Sequence, residues 1–208
     1  ARAFNVAIEV DQRIADPLRL GVRYAWNYAY DNSSFSCCTS GEGFTGEPTS
    51  GDPNFVGNIG DDTLGTWGPS RFERRHTIVA NLRYEAPAGI RLSGIWRLQS
   101  GTPFTPVVNG DVNGDGDRFN DRAFVGNTLV FATPADQARM DSLIAAHECL
   151  AKQVGRMAGR NSCRNPWFNS LDLRISWQLP TASRHRVELL VDLFNVLNGI
   201  NKDWGRFM

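Results

Sequence analysis

The fold class expected from the sequence is all-β: an antiparallel, up-and-down transmembrane β-barrel segment, about six strands of a larger barrel, with long extracellular loops and one short loop helix. Three observations lead there. Apolar and polar residues alternate over long stretches, connections alternate between short and long, and outward aromatics gather at two levels. Composition excludes other classes first. Over 208 residues, 22 Lys and Arg balance 22 Asp and Glu, which argues against a basic nucleic-acid binder and an acidic tail protein, so no nucleic-acid partner is expected. With 41% hydrophobic and 21% charged residues, the chain is not disordered by composition. No run of about 18 apolar residues is present, so no transmembrane helix is expected. The opening Ala1-Arg2-Ala3-Phe4-Asn5 lacks a basic start followed by an apolar core, which reads as a removed leader or an internal piece of something longer.

The first strand carries Phe4, Val6, Ile8 and Val10 on one face and is expected to be short, ending in a turn near Asp11 to Asp16. The second shows the clearest period of two. Leu18, Leu20, Val22, Tyr24, Trp26, Tyr28 and Tyr30 alternate with Arg19, Gly21, Arg23, Ala25, Asn27 and Ala29, well beyond the roughly 5–6 residues of a typical soluble strand. The third sets Ile78, Ala80, Leu82 and Tyr84 against Val79, Asn81, Arg83 and Glu85. After Pro87-Ala88-Gly89, the fourth sets Ile90, Leu92, Gly94, Trp96 and Leu98 against Arg91, Ser93, Ile95, Arg97 and Gln99. The fifth sets Leu171, Leu173, Ile175, Trp177 and Leu179 against Asp172, Arg174, Ser176 and Gln178. The sixth sets Val187, Leu189, Val191 and Leu193 against Glu188, Leu190, Asp192 and Phe194. Short turns join strands one to two, three to four and five to six. Long loops at about 31–75 and 101–169 join the rest.

Two solvents compete for the apolar face. A soluble sandwich buries it against a second sheet, whereas a membrane barrel turns it to lipid around a polar interior. With the long loops at the top, Trp26, Tyr28, Tyr30 and Trp96 fall near the top of their strands, and Trp167 and Phe168 precede the top of the fifth. Tyr84 and Trp177 fall near the bottom. Tyr24 stands nearer mid-strand. Two aromatic levels with aliphatic and small residues between them suit the two lipid–water boundaries. The opposite faces carry Arg23, Arg83, Arg91, Arg97, Arg174, Glu85, Glu188 and Asp192, which are expected to face a wet lumen, since unpaired charge in a sandwich core is expensive. The exposed face of a one-sided soluble sheet would also accept them. Membrane barrels of this kind begin at about 8 strands, and an open edge in lipid leaves backbone groups unsatisfied. The chain is therefore expected to be part of a larger barrel.

The second long loop contains Asp111, Asn113, Asp115, Asp117, Asn120 and Asp121 around Gly114 and Gly116. Oxygen ligands at alternate positions followed by Gly match the first half of an EF-hand-type loop, so Ca2+ is the one cofactor to consider. Position twelve is Arg122 rather than a bidentate Glu, so Asp117, Asn120 or Asp121 would have to close the shell. A solvated acidic turn is the alternative. Next, Thr133-Pro134-Ala135-Asp136 resembles a helix start with Pro at the first position. Met140, Leu143, Ile144, His147, Leu150, Ala151 and Val154 follow at helical spacing, and Gly155 or Gly159 would end one amphipathic helix. Cys149 and Cys163 are expected to pair, closing a loop worth about 3 kcal/mol in the chain-entropy model, in an oxidising surface setting. Metal binding is the weaker alternative, because His147 is the only nearby His. Cys37 and Cys38 could form a vicinal bridge or pair with another part of the protein; the sequence leaves this open. No catalytic constellation is present: His76, His147 and His185 read as structural or solvated, with no nucleophile elbow, phosphate loop or HExxH. The protein is not expected to be an enzyme.

Several runs resemble one family. Trp67-Gly-Pro-Ser-Arg-Phe-Glu-Arg-Arg-His76 is similar to the WGPSxxDRRH stretch of Oar-like TonB-dependent receptors. Leu92-Ser-Gly-Ile-Trp-Arg-Leu-Gln-Ser-Gly-Thr-Pro-Phe-Thr105 resembles that family's strand ending in QSGxPFT. Asn113-Gly-Asp-Gly-Asp-Arg-Phe-Asn-Asp-Arg122 resembles its NGDGxxxNDR loop. Arg160-Asn-Ser-Cys-Arg-Asn-Pro-Trp167 and Val191-Asp-Leu-Phe-Asn-Val-Leu-Asn198 also match. The resemblance spans about residues 67–200. It implies a roughly 22-stranded outer-membrane barrel with an N-terminal plug, usually preceded by a carboxypeptidase-regulatory-like domain. It implies contact with TonB, and uptake, surface export or adhesion roles toward an unidentified ligand or surface protein. The stretch itself shows no plug or TonB box, and it is expected to stop, at Trp204-Gly-Arg-Phe-Met208, before the last strands. A porin or adhesin barrel without TonB, and a soluble calcium-dependent β-sandwich binding module, are the competing expectations. Calorimetry should record heat of binding at about millimolar calcium; a flat trace would exclude the loop as a calcium site.

Overall fold

A computed structural model describes residues 1–31, 67–108, 122–126, 133–181, 185–202 and 204. Six long strands form one antiparallel sheet: β1 (Arg2–Ala15), β2 (Leu18–Asp31), β3 (His76–Ala86), β4 (Ile90–Gln99), β5 (Phe168–Leu179) and β6 (Val187–Leu193). Their order in the sheet is their order in the chain. The sheet is not closed, and β1 and β6 are its edges. The fold class is the one expected, an antiparallel β-barrel segment.

The strands differ from expectation at their ends. β1 is not a short copy but spans 14 residues, as many as β2. Asp11, Gln12 and Arg13 look like turn residues, yet Ile14 resumes the alternation and the turn shrinks to Asp16 and Pro17. The β3–β4 turn places both Ala88 (φ 62°) and Gly89 (φ 76°) in the left-handed region. Glycine suits that conformation, and a Cβ at position 89 would stand 2.8 Å from the Gln178 carbonyl oxygen. Trp177 donates its indole N–H to the Ala88 carbonyl oxygen at 3.2 Å, which anchors the turn.

The chain divides into two compact units. The wall unit comprises 4–27, 74–101 and 166–208, and the loop unit comprises 1–3, 28–73 and 102–165. Among the described residues the wall unit buries no large apolar side chain: Leu189 on β6 is 55% exposed and Val6 on β1 is 57% exposed. Its ladder hydrogen bonds rather than a core hold it together.

The loop unit has a small apolar core of Val125, Leu150, Ala158 and Cys163, with Ile144 and Cys149 packed against it. Short antiparallel pairs supply its frame: Tyr30 and Asp31 with Pro69 and Gly68, Pro103 and Phe104 with Arg164 and Cys163, and Phe124 and Val125 with Met157 and Arg156. The single helix expected here is two. α1 (Pro134–Ala146) starts on Thr133, whose hydroxyl accepts from the Asp136 amide, and it ends where His147 turns extended (φ −126°, ψ 104°). α2 (Glu148–Ala151) follows. The break directs Leu150 into the core, while Leu143 on α1 stays 47% exposed. Cys149 and Cys163 are disulfide-bonded, as expected. The bond closes a loop of sequence separation 14, worth about 3 kcal/mol. Replacing both cysteines by Ser should speed limited proteolysis between 134 and 164 at least tenfold, roughly the local equivalent of half that figure. Unchanged nicking would remove the bond from the account of loop order.

Candidate functional site

The wall unit presents two chemically opposite faces. Register fixes which residues share a face, because directly paired side chains lie on the same side of a sheet. One row runs Leu18, Tyr84, Leu92, Ile175, Val191; the next runs Leu20, Leu82, Gly94, Leu173, Leu193; a third runs Val22, Ala80, Trp96, Leu171. This face is apolar. The other carries Arg23 opposite Val79, and Val79 opposite Arg97. Arg83 pairs with Ser93, Ser93 with Arg174, and Arg174 with Asp192; Glu85 stands opposite Arg91. Glu188 stands opposite Gln178 on the same face. All eight residues expected to face the lumen therefore share one side. Four ion pairs tie that side together: Arg83–Glu85 (2.7 Å), Arg91–Glu188 (3.9 Å), Arg97–Asp172 (2.7 Å) and Arg174–Asp192 (2.5 Å). They are largely exposed, so each contributes little stability, about 0–1 kcal/mol. Their effect is a wettable surface with its charges matched.

On the apolar face the aromatic residues occupy both ends. Trp26 stands opposite His76. The Tyr24 hydroxyl lies 2.8 Å from His76 Nδ1, and the two rings stack at 6.1 Å. Trp167 also stacks with His76, at 6.0 Å and 11°. Tyr24, expected nearer mid-strand, thus belongs to the aromatic group at the loop end, and Trp96, opposite Ala80, stands deeper than it. Sequence reading placed Trp167 at this level but missed His76 as a member. The available signal was parity, since His76 falls on the same alternation as Ile78, Ala80 and Leu82. Trp96 donates its indole N–H to Asn169 Oδ1 at 2.7 Å. At the turn end stand Tyr84 and Trp177. From the Trp26–His76 pair to the row of Ala86, Ile90 and Trp177 is ten steps along β3, ~33 Å of strand.

The loop unit is organised by polar side chains. Arg160, with a side chain 1% exposed, donates to the Asp31 carboxylate and to the Asp31 carbonyl oxygen at 2.6 Å. Gly68 packs closely beside it: a Cβ there would stand 3.1 Å from the Arg160 carbonyl oxygen. Glu73 is fully buried, pairs with Arg164 and accepts from the Ala29 amide at 3.3 Å. Asn161 donates from its side chain to the Pro69 carbonyl oxygen (2.7 Å) and from its amide to Thr105 Oγ1 (2.9 Å). Asn165 joins Thr102 through both backbone and side chain. Gln153 donates to the Cys149 carbonyl and accepts from the Gly159 amide. Burial, then the charge of Arg160, push the Arg122 guanidinium below its usual pKa. None of these partners was predicted. Asp31 and Arg160 stand 129 residues apart, and Glu73 and Arg164 stand 91 apart, so no local spacing marks them.

The calcium candidates Asp111, Asn113, Asp115, Asp117, Asn120 and Asp121, like Cys37 and Cys38, lie outside the described residues. Tyr28 and Tyr30 fall in the loop unit, stacked at 4.6 Å.

A sheet with one apolar face, one face of paired charges and aromatics at both strand ends defines the wall of a membrane barrel. Residues 5–202 match the family model described as outer membrane beta barrel domain. The chain belongs to that family, and its place is the outer membrane. No curated protein and no solved structure matches it. Family membership removes the soluble-sandwich alternative.

Arg160→Met should destabilise the loop unit by about 3–5 kcal/mol, because it leaves the Asp31 carboxylate without its guanidinium. The double replacement Arg160→Met with Asp31→Leu should recover most of the loss. Hydrogen exchange at 28–31 and 158–164 reads both; equal protection loss in the single and double variants would show that the pair is not what orders the unit.

Proposed function

We propose that the chain is wall and loop from an Oar-like TonB-dependent receptor of the outer membrane. In this reading the loop unit is extracellular and meets an unidentified ligand or surface protein. The wall holds it in place, and Arg23, Arg83, Arg91, Arg97, Arg174, Glu188 and Asp192 line a hydrated lumen. Contact with TonB would be made by a plug outside this stretch. The observation that carries the reading is spatial. The separate runs that resemble the receptor family meet in the loop unit: the 67–76 run meets the 160–167 run through Glu73–Arg164 and Asn161–Pro69, and the 92–105 run joins them through Thr105–Asn161. Similar motifs scattered by chance would have no reason to pair with one another.

Support for the lipid-facing assignment comes from height. The ~33 Å of strand between the aromatic rows, at a tilt of about 35–45°, rises about 25 Å, the height of the apolar band of such barrels. Trp26, Tyr84 and Trp177 then sit toward its two boundaries, whereas Trp96, expected near the top of its strand, stands opposite Ala80, four steps from the Trp26–His76 row and nearer the middle. The indole N–H groups of Trp96 and Trp177 already have partners within the protein, as hydrocarbon requires.

Three experiments test this. Trp96→Arg should reduce the folded, heat-modifiable band in outer-membrane preparations, given a cost of about 2–4 kcal/mol at mid-bilayer and less near the boundary; normal insertion would contradict the lipid-facing assignment. A membrane-impermeant maleimide should label Leu143→Cys on intact cells and spare Pro17→Cys, and the full-length receptor should retain the periplasmic domain of TonB on a column. Reversed labelling would overturn the orientation, and absence of retention would overturn the TonB assignment.

A further inference from the structure

We propose that Arg122 is an anion-binding residue of the loop unit and takes up a carboxylate or phosphate group of the ligand. This deepens the receptor reading and rests on the loop unit being the part that meets ligand. Three short backbone runs place the residue. Val107 stands opposite Arg122. The Ala123 amide donates to the Pro106 carbonyl oxygen at 2.9 Å, and the Ala158 amide donates to the Ala123 carbonyl oxygen at 2.7 Å. The Asn161 amide donates to Thr105 Oγ1 at 2.9 Å. The runs 105–107, 122–125 and 156–161 are thereby bound together. Arg122 comes close enough to Arg160 for the two positive charges to repel.

The charges at this place do not balance. Arg160 donates to Asp31 and Arg164 to Glu73, so both buried carboxylates already hold a guanidinium. Among the described residues Arg122 makes no ion pair, and the influences on its charge are burial and Arg160. It is half-buried, so part of its hydration is gone, and no carboxylate among those residues makes the loss good. Lost hydration penalises a charged group that has no counter-charge. A second guanidinium alongside adds to that penalty and raises the positive potential where an anion would sit. An incoming oxyanion removes both penalties together. The guanidinium presents a planar fork of N–H donors that matches two oxygens of one carboxylate or phosphate. The place is open to a visitor: Val107, opposite Arg122, is 41% exposed, and Met157, opposite Phe124, is 50% exposed. Apolar neighbours also strengthen a charge contact by excluding water from it. A cationic group would be repelled by the same two guanidinium groups.

The test uses the full-length receptor in detergent and hydrogen exchange at 122–126 and 158–161, at fixed pH and ionic strength with a chelator present. Sodium chloride is the reference, and inorganic phosphate and acetate are the probes. At about four times its dissociation constant, a bound anion should slow exchange at these segments about fivefold relative to chloride. Slowing by either probe supports the site, and the stronger probe names the group it takes. Arg122→Gln should abolish the slowing while exchanging like the parent in chloride, which shows that it folds. Arg122→Lys should retain part of the slowing, as a point charge without the fork. Arg156→Gln, which removes an exposed guanidinium of the same unit, should respond like the parent. Equal exchange of the parent in all three salts would overturn the proposal, as would an undiminished response in Arg122→Gln or a lost response in Arg156→Gln. The TonB column separates the two readings: retention without an anion response defeats this inference alone, and an anion response without retention defeats the TonB assignment alone.

Discussion

Hydrocarbon offers no hydrogen bond to a peptide group, so a chain that crosses it as strands must satisfy each amide and carbonyl with a neighbouring strand. Every other property of the wall unit follows from meeting that condition with a two-residue period. Once β2 to β6 are locked in register, each side chain has one of two destinations. Slipping β4 by a single residue would put Arg91 between Tyr84 and Ile175 and Arg97 beside Ile78 and would send Trp96 to the charged side. The same condition reaches the side chains. The indoles of Trp96 and Trp177 each carry an N–H, and each is placed where Asn169 or the Ala88 carbonyl can accept it.

The loop unit works by the opposite rule. Among the described residues its buried apolar set is four small or medium side chains, while Asp31, Ser70, Glu73, Thr105, Gln153, Arg160 and Asn161 are buried polar ones. A buried ion pair contributes little over a well-packed apolar pair, yet a lone buried charge is heavily penalised. The value of Arg160–Asp31 and Arg164–Glu73 is therefore selective. Any arrangement of these segments that leaves one guanidinium or carboxylate without its partner is disfavoured, so a region with a small apolar core still has one arrangement well below its rivals. The Cys149–Cys163 bond acts on the same region from the other side, by shrinking the number of unfolded arrangements.

The wall was legible in the sequence because its signal is local. Alternation from Leu18 to Tyr30 or from Leu171 to Leu179 is visible within a dozen residues and names both the strand and its faces. β1 was read short because Asp11, Gln12 and Arg13 carry turn-like chemistry, and what extends the strand is the ladder with β2, which no local pattern reports. The helix break at His147 escaped for a related reason: helical spacing continues through Leu150, and only packing of Leu150 onto Val125 and Cys163 requires a change of direction. The disulfide was legible from spacing and compartment. The polar network was not, since its partners lie 129 and 91 residues apart in the chain. His76 was set aside as a strand-start residue, although its parity already placed it on the aromatic side.

The order of strands in the sheet is their order in the chain, and this has a consequence for loop size. The return from Gln99 to Phe168 joins neighbouring strands, a gap of about 5 Å that a few residues could bridge. For a flexible connection each doubling of length adds only about 0.6 kcal/mol of closure entropy, and self-ordering by the Arg160–Asp31 pair and the disulfide sets the rest. Insertions and deletions in that return are thus nearly neutral to the wall. Surface chemistry can be exchanged wholesale while the membrane-crossing part stays as it is, which makes the sheet a reusable mount and the loop the replaceable instrument.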